Sequence, residues 1–166
     1  MIDIGVNLTN SRFDKDRNDV LNRAKQAGLD ALLITGTSIA ESQKAAELCQ
    51  LAPGFLYSTA GVHPHDADNV SCDYLGEIER LVALDCVKAV GECGLDFNRN
   101  FSTPENQIKV FEAQIALASQ LQMPLFLHQR DAFDTWLSML MPFLGKVPAM
   151  VSHCFTANRS QLKQCL

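Results

Sequence analysis

The chain has no apolar run approaching the roughly 18 residues that cross a bilayer as a helix. Its start, Met1-Ile2-Asp3-Ile4, lacks the basic flank and apolar stretch of a signal peptide, so the expected compartment is the cytoplasm. A basic excess is also missing. With a net charge of −5 and a pI near 5.3, the chain has no broad cationic face to grip nucleic acid. Contact with nucleic acid must then be local, confined to a few nucleotides gathered at a metal and a small number of arginines. Among the six cysteines there is no C-x-x-C pair, and the reading is reduced, mostly buried thiols. What remains is ordinary globular material: 166 residues, 47% hydrophobic and 20% charged, enough to bury a sizeable core.

Strand and helix signals alternate along the whole chain. Strands are expected at Ile2 to Val6, Ala31 to Ile34, Phe55 to Ala60, Val87 to Val90, Pro124 to Leu127 and Val147 to Ser152. Between them, helical spacing marks Lys15 to Ala27, ending at Gly28, and Thr37 or Ser38 to Leu51, ending at Pro53-Gly54. Further helices are expected over Cys72 to Leu84, Thr103 to Leu121, Asp131 to Met141 and from Ala157 onward. The longest of these opens on Ser102 or Thr103 followed by Pro104 and Glu105, an N-cap with proline and acid in the first turn. Six βα repeats imply an α/β fold with a parallel sheet. A doubly wound sheet and a (β/α)8 TIM barrel both satisfy that pattern, and ligands gathered from several strand ends favour the barrel. A barrel needs at least about 200 residues, so the expectation is an incomplete barrel, a single domain over residues 1–166 carrying about six of eight units.

Three apolar runs end on metal-competent side chains: Glu92 after Val87-Lys88-Ala89-Val90-Gly91, His128 after Pro124-Leu125-Phe126-Leu127, and His153 after Ala149-Met150-Val151-Ser152. In barrel enzymes such strand ends face the active site. Carboxylate oxygen and imidazole nitrogen suit Mg²⁺, Mn²⁺ or Zn²⁺ alike. Cys93 and Cys154 directly follow two of these residues, but side chains alternate along a strand, which argues against thiolate ligation. A further cluster, His63-Pro64-His65, follows the third strand, where His63 can join the metal shell, donate a proton or contact phosphate. Arg99 and Arg130 follow the fourth and fifth strands and offer planar donor forks that match phosphate, unless Asp96 or Asp131 pairs with them.

Together, Gly61-Val62-His63-Pro64-His65, Gly91-Glu92-Cys93-Gly94-Leu95-Asp96-Phe97, His128-Gln129-Arg130 and Ser152-His153-Cys154-Phe155 resemble the TatD family of metal-dependent hydrolases. The resemblance runs from Asp3 to the end of the chain and corresponds to the N-terminal two-thirds of the family's pattern, with Asp3 to Thr9 similar to its namesake branch. It implies an amidohydrolase-like barrel and a Mg²⁺-dependent 3′–5′ exonuclease or deoxyribonuclease acting on single-stranded DNA or RNA, monomeric at full length. It further implies Glu92, His128 and His153 as metal ligands, with His63 and Arg130 in the substrate pocket; by their own placement and chemistry, Glu92 and His63 are expected in catalysis and His65 and Arg99 at the substrate. Two features depart from the family. Gly5 and Asn7 stand where many relatives carry H-x-H, and an aspartate ligand near the eighth strand has no counterpart here. Impaired activity is therefore expected of residues 1–166 alone. The alternatives are an amidohydrolase of a non-phosphate substrate and a non-catalytic fragment.

Overall fold

The computed structural model describes residues 1–166, with strand and helix alternating from end to end. The strands are β1 (Ile2–Val6), β2 (Ala31–Ile34), β3 (Leu56–Ala60), β4 (Val87–Asp96), β5 (Leu125–Arg130) and β6 (Met150–Ser152). The helices are α1 (Arg17–Gln26), α2 (Ile39–Cys49), α3 (Tyr74–Val82), α4 (Pro104–Leu121), α5 (Phe133–Leu140) and α6 (Arg159–Cys165). Every strand pairs in parallel with its chain neighbour, giving the order β1-β2-β3-β4-β5-β6. Helical crossovers between successive parallel strands impose that order. The result is a curled six-stranded half-barrel, in keeping with an incomplete TIM barrel.

Expected and observed elements coincide in kind and order, and differ at their ends. The largest difference is β4, which does not stop at Val90 but continues to Asp96. Glu92 is thus not a strand-end residue. In the β4–β5 pairing Gly91 faces Phe126 and Cys93 faces Leu127, so Glu92 is the extra residue of a bulge. Gly91 and Gly94 have φ of +129° and +148°, and a Cβ on either would overlap a β5 carbonyl, Phe126 or His128. Glycine at both positions lets β4 run this close to β5 and turn as it does. β5 likewise runs past Leu127 to Arg130, with His128 inside it. β6 starts at Met150 rather than Val147, since Pro148 has no N–H to give a ladder. The helices are shorter than their sequence signals by one or two residues at an end.

Two large apolar clusters and a small third one, Ala46, Ala60, Leu81 and Val87, hold the layers. Val90, Leu95, Leu125 and Leu127 of the sheet pack with Phe111 and Ile115 of α4 and Trp136 of α5. Leu32, Ile34 and Leu56 pack with Leu21 of α1 and Ala45 of α2. Burying such side chains stabilises by about 1.5–3 kcal/mol each. Two polar residues interrupt the apolar face of α4. Gln107 and Gln114 are 1% and 0% exposed, and both side-chain amides clamp a backbone segment. Gln114 accepts the Val62 N–H at 2.8 Å and donates to the Val62 carbonyl at 3.0 Å, holding the chain as it leaves β3 for His63. Gln107 clamps Asp96 in the same way.

The N-terminus of α4 is capped from outside. Thr103 occupies the expected N-cap position but its side chain makes no cap bond. Instead Asp68, in the 3-10 segment Pro64–Asn69, accepts from the Thr103 N–H, the Thr103 hydroxyl and the Asn106 amide. Asn106 first, and the Thr103 bonds with it, hold the Asp68 carboxyl below its ordinary range. Ser102 completes the tie by donating to the His65 carbonyl at 3.0 Å. The His63-Pro64-His65 loop is thereby fixed to the helix that follows β4.

Candidate metal centre

All four histidines of the chain converge on two buried carboxylates of β4, Glu92 and Asp96. Glu92 Oε1 lies 2.5 Å from His153 Nε2, 3.1 Å from His128 Nδ1 and 3.7 Å from His63 Nε2. The bulge at Gly91–Cys93 turns the Glu92 side chain into this cluster, while its N–H donates to the Gly36 carbonyl at 2.7 Å. β5 supplies His128 and the segment just after β6 supplies His153, whose ring stacks on Phe126 with centroids 4.7 Å apart. Gly5 makes room for that ring. A Cβ there would lie 3.2 Å from His153 Nδ1.

Burial opposes ionisation of Glu92, but hydrogen bonds from His128 and His153 and the nearby His63 outweigh it, so the carboxyl stays ionised well below its ordinary range. Burial also drives His63 down to about 3 against a weaker upward pull from Glu92. A neutral imidazole must place its proton on one nitrogen. His63 Nδ1 accepts the His65 N–H at 3.1 Å, so the proton is on Nε2, facing Glu92. This distinguishes His63 from the other two. His63, Glu92 and His128 offer donor atoms within 4.8 Å of one another, yet Nε2–H of His63 is a donor to an acceptor and not a lone pair for a cation. His128 Nδ1 and His153 Nε2 meet the ionised carboxylate as hydrogen-bond donors, and each would offer a lone pair to a cation once its proton sits on the ring's other nitrogen, so the set that could hold one is Glu92, His128 and His153. Its mixed oxygen and nitrogen chemistry fits a divalent cation, and the buried His128 Nε2 has no hydrogen-bond partner, so the donor set has capacity beyond its own internal bonds.

The remaining expected site residues divide. His65 is in place, with Nε2 2.6 Å from Asp96 Oδ2 and its ring edge-on to Phe101 at 4.8 Å. Arg99 and Arg130 are exposed at the ends of β4 and β5. Neither guanidinium forms an ion pair: Asp96 takes the backbone N–H of Arg99, and Asp131 takes the Asn98 amide. Neither cysteine joins the cluster. Cys93 is fully buried, its thiol pushed up by that burial and next by the Glu92 charge, and Cys154 is exposed. Three residues not anticipated from sequence, Asn7, Thr37 and Ser38, line an open polar cleft of about 460 Å³ with His63, His65, Asp66 and Glu92. Their sequence signals were position, just past β1 and β2, and for Asn7 its place in the expected H-x-H motif.

A separate apolar groove of about 420 Å³ lies away from these histidines, between α5, β6 and α6. No helix is long and apolar enough to cross a membrane.

The family model described as TatD related DNase matches residues 2–166. The chain is 55% identical over all 166 of its residues to the 3′–5′ ssDNA/RNA exonuclease TatD of Pectobacterium carotovorum, and covers 64% of that protein. Against the protein of the same name from Citrobacter rodentium the identity is 53%, over 63% of the relative's length. The chain thus spans just under two thirds of these relatives. A hydrolase TatD family protein from Entamoeba histolytica superposes with a TM-score of 0.89 at 29% identity, over 99% of this chain and 61% of that one. A TatD homolog from Escherichia coli gives 0.85 at 25%, over 99% and 63%. From the matched residues 2–166, this chain belongs to the family of TatD related DNases.

Proposed function

We propose that this chain carries the metal-binding part of a Mg²⁺-dependent 3′–5′ exonuclease that hydrolyses phosphodiester bonds of single-stranded DNA or RNA. One observation carries the reading: three imidazoles converge on one ionised, buried Glu92 oxygen, and of the three His63 alone has its other nitrogen taken by a backbone N–H. Two 3′–5′ exonucleases at 53–55% identity support the substrate class. A divalent cation held by Glu92, His128 and His153 would supply Lewis acidity toward a phosphoryl oxygen and an acidified water.

The chain's own residues perform the rest. His63 holds Nε2–H at the edge of the cleft, where it hydrogen-bonds a phosphate oxygen and the charge that develops on it. His65 lies beside it and presents a 26% exposed side chain to the same cleft. Arg99 and Arg130, unpaired and exposed beyond the strand ends, are free to take a phosphate through their donor forks when a strand enters. The net charge of −5 keeps this footprint short. Residues 1–166 form one domain in this reading, in a cytoplasmic protein that is monomeric at full length, and by themselves they work weakly.

The test is release of mononucleotides from a 3′-labelled single strand by the full-length protein with Mg²⁺, and its loss on chelation. Labelled mononucleotide is expected first. Turnover of an amide or lactone with Zn²⁺, and no nucleotide release, would replace this reading with an amidohydrolase one.

A further inference from the structure

Asp96 is 1% exposed and lies four residues beyond Glu92 on β4. Its backbone is clamped by Gln107, which accepts the Asp96 N–H at 2.8 Å and donates to the Asp96 carbonyl at 3.2 Å. Its Oδ1 accepts the N–H groups of Asn98 and Arg99 at 3.0 and 2.9 Å, so the carboxylate is not free to swing. Oδ2 is left facing two imidazoles. His65 Nε2 is 2.6 Å away, and His128 Nε2 is 3.6 Å away, buried and without a hydrogen-bond partner of its own.

We propose that Asp96 is a positioning residue that serves both halves of the site, orienting His128 toward the metal position and His65 toward the substrate. In its first half this rests on the metal reading given above. An imidazole that offers a lone pair at one nitrogen carries its proton on the other, and a carboxylate accepting that proton fixes the ring and raises its basicity. His128 turns Nδ1 to Glu92 and Nε2 to Asp96, so Asp96 is the acceptor in the right place. The same oxygen accepts from His65 Nε2–H, since an ionised carboxylate has no proton to give. His65 is thus left with Nδ1 as its remaining polar atom on a ring that lines the cleft. Because one oxygen serves both rings, a change at His65 is felt at His128.

Two variants of the full-length protein test this by nitrogen-resolved imidazole NMR with saturating Mg²⁺ and by Mn²⁺ calorimetry, neither of which depends on turnover. Asp96→Asn keeps an acceptor for Asn98 and Arg99 but presents an amide donor to the histidines. His65 is expected to switch from the Nε2–H to the Nδ1–H tautomer, and Mn²⁺ affinity to fall about 10- to 100-fold. His65→Phe releases Oδ2 to His128, so the His128 Nε2–H signal is expected to move to a hydrogen-bonded position with Mn²⁺ affinity retained. Unchanged His65 tautomer and unchanged affinity in Asp96→Asn overturn the proposal. Should that variant not fold, an unmoved His128 signal in His65→Phe overturns it alone. A wild-type protein that binds no Mn²⁺ overturns the metal reading and the role toward His128, while the His65 tautomer still decides the other half.

Discussion

His63 Nδ1 accepts the backbone N–H of His65 at 3.1 Å, and that one bond fixes which nitrogen of a buried ring holds the proton. The ring therefore meets Glu92 with its proton fixed on Nε2, whereas His128 and His153 each keep a second nitrogen to which their proton can move.

This arrangement gives the fold an acid sensitivity. Burial lowers His63 from 6.5 to about 3, so between those values the unfolded chain takes a proton that the folded chain refuses. With more protons on the unfolded state, stability falls as pH drops through this window, by up to about 1.4 kcal/mol per unit. Urea unfolding at neutral and mildly acidic pH is expected to show the slope, and His63→Gln to flatten it. An equal slope in the variant contradicts the burial account.

The clamp between Gln114 and Val62 is the second point of test. Gln114→Leu fits the apolar face of α4 but leaves the Val62 N–H and carbonyl without partners. The expected loss is about 2–6 kcal/mol in urea unfolding, because each of the two buried unsatisfied groups costs about 1–3. A change within about 0.5 kcal/mol, the ordinary range for a surface substitution, would mean that other groups take over the clamp.

Phe101 is 65% exposed and stands edge-on to His65 at the rim of the cleft. An exposed aromatic there offers a face on which a terminal base can stack, worth about 1–3 kcal/mol. Phe101→Ala is expected to raise KM for a short single strand roughly 5- to 100-fold, with kcat little changed and no loss of Tm. A lowered kcat at constant KM argues against stacking.

The outer strands carry a different liability. Ile2 and Ile4 on β1 are 61% and 44% exposed, and Val151 on β6 is 39% exposed. Both strands lack a partner on one side, which favours edge association. Residues 1–166 alone are expected to self-associate in light scattering with size exclusion, and Ile4→Lys with Val151→Lys to reduce it. A monodisperse monomer at high concentration contradicts this.

Much of this was legible in the sequence. Glu92, His128 and His153 each sat at the end of an apolar run, and the alternation of signals gave six parallel strands in chain order. Other features depended on contacts that no local pattern encodes. β4 runs six residues past its apolar signal because Gly91 and Gly94 allow it to follow β5, and this made Glu92 a bulge residue. Asp96 read as a partner for an arginine, yet it turns inward to His65 and His128. A hint existed, since Glu92 and Asp96 are four apart on one strand and the period of two gives both the same side. The capping of α4 by Asp68, 35 residues before Thr103, and the two glutamine clamps arise only once the β3 loop packs on α4.

The central claim is that Glu92, as the shared oxygen of the cluster, holds a divalent cation for phosphodiester hydrolysis. Its most direct test is mononucleotide release from a 3′-labelled single strand by the full-length protein and by Glu92→Gln, both shown to be folded, across a Mg²⁺ titration. The variant keeps size and shape but loses the charge that the histidines surround. The account predicts that release falls at least about 100-fold and is not restored by excess Mg²⁺. Release at the wild-type rate in Glu92→Gln would contradict it.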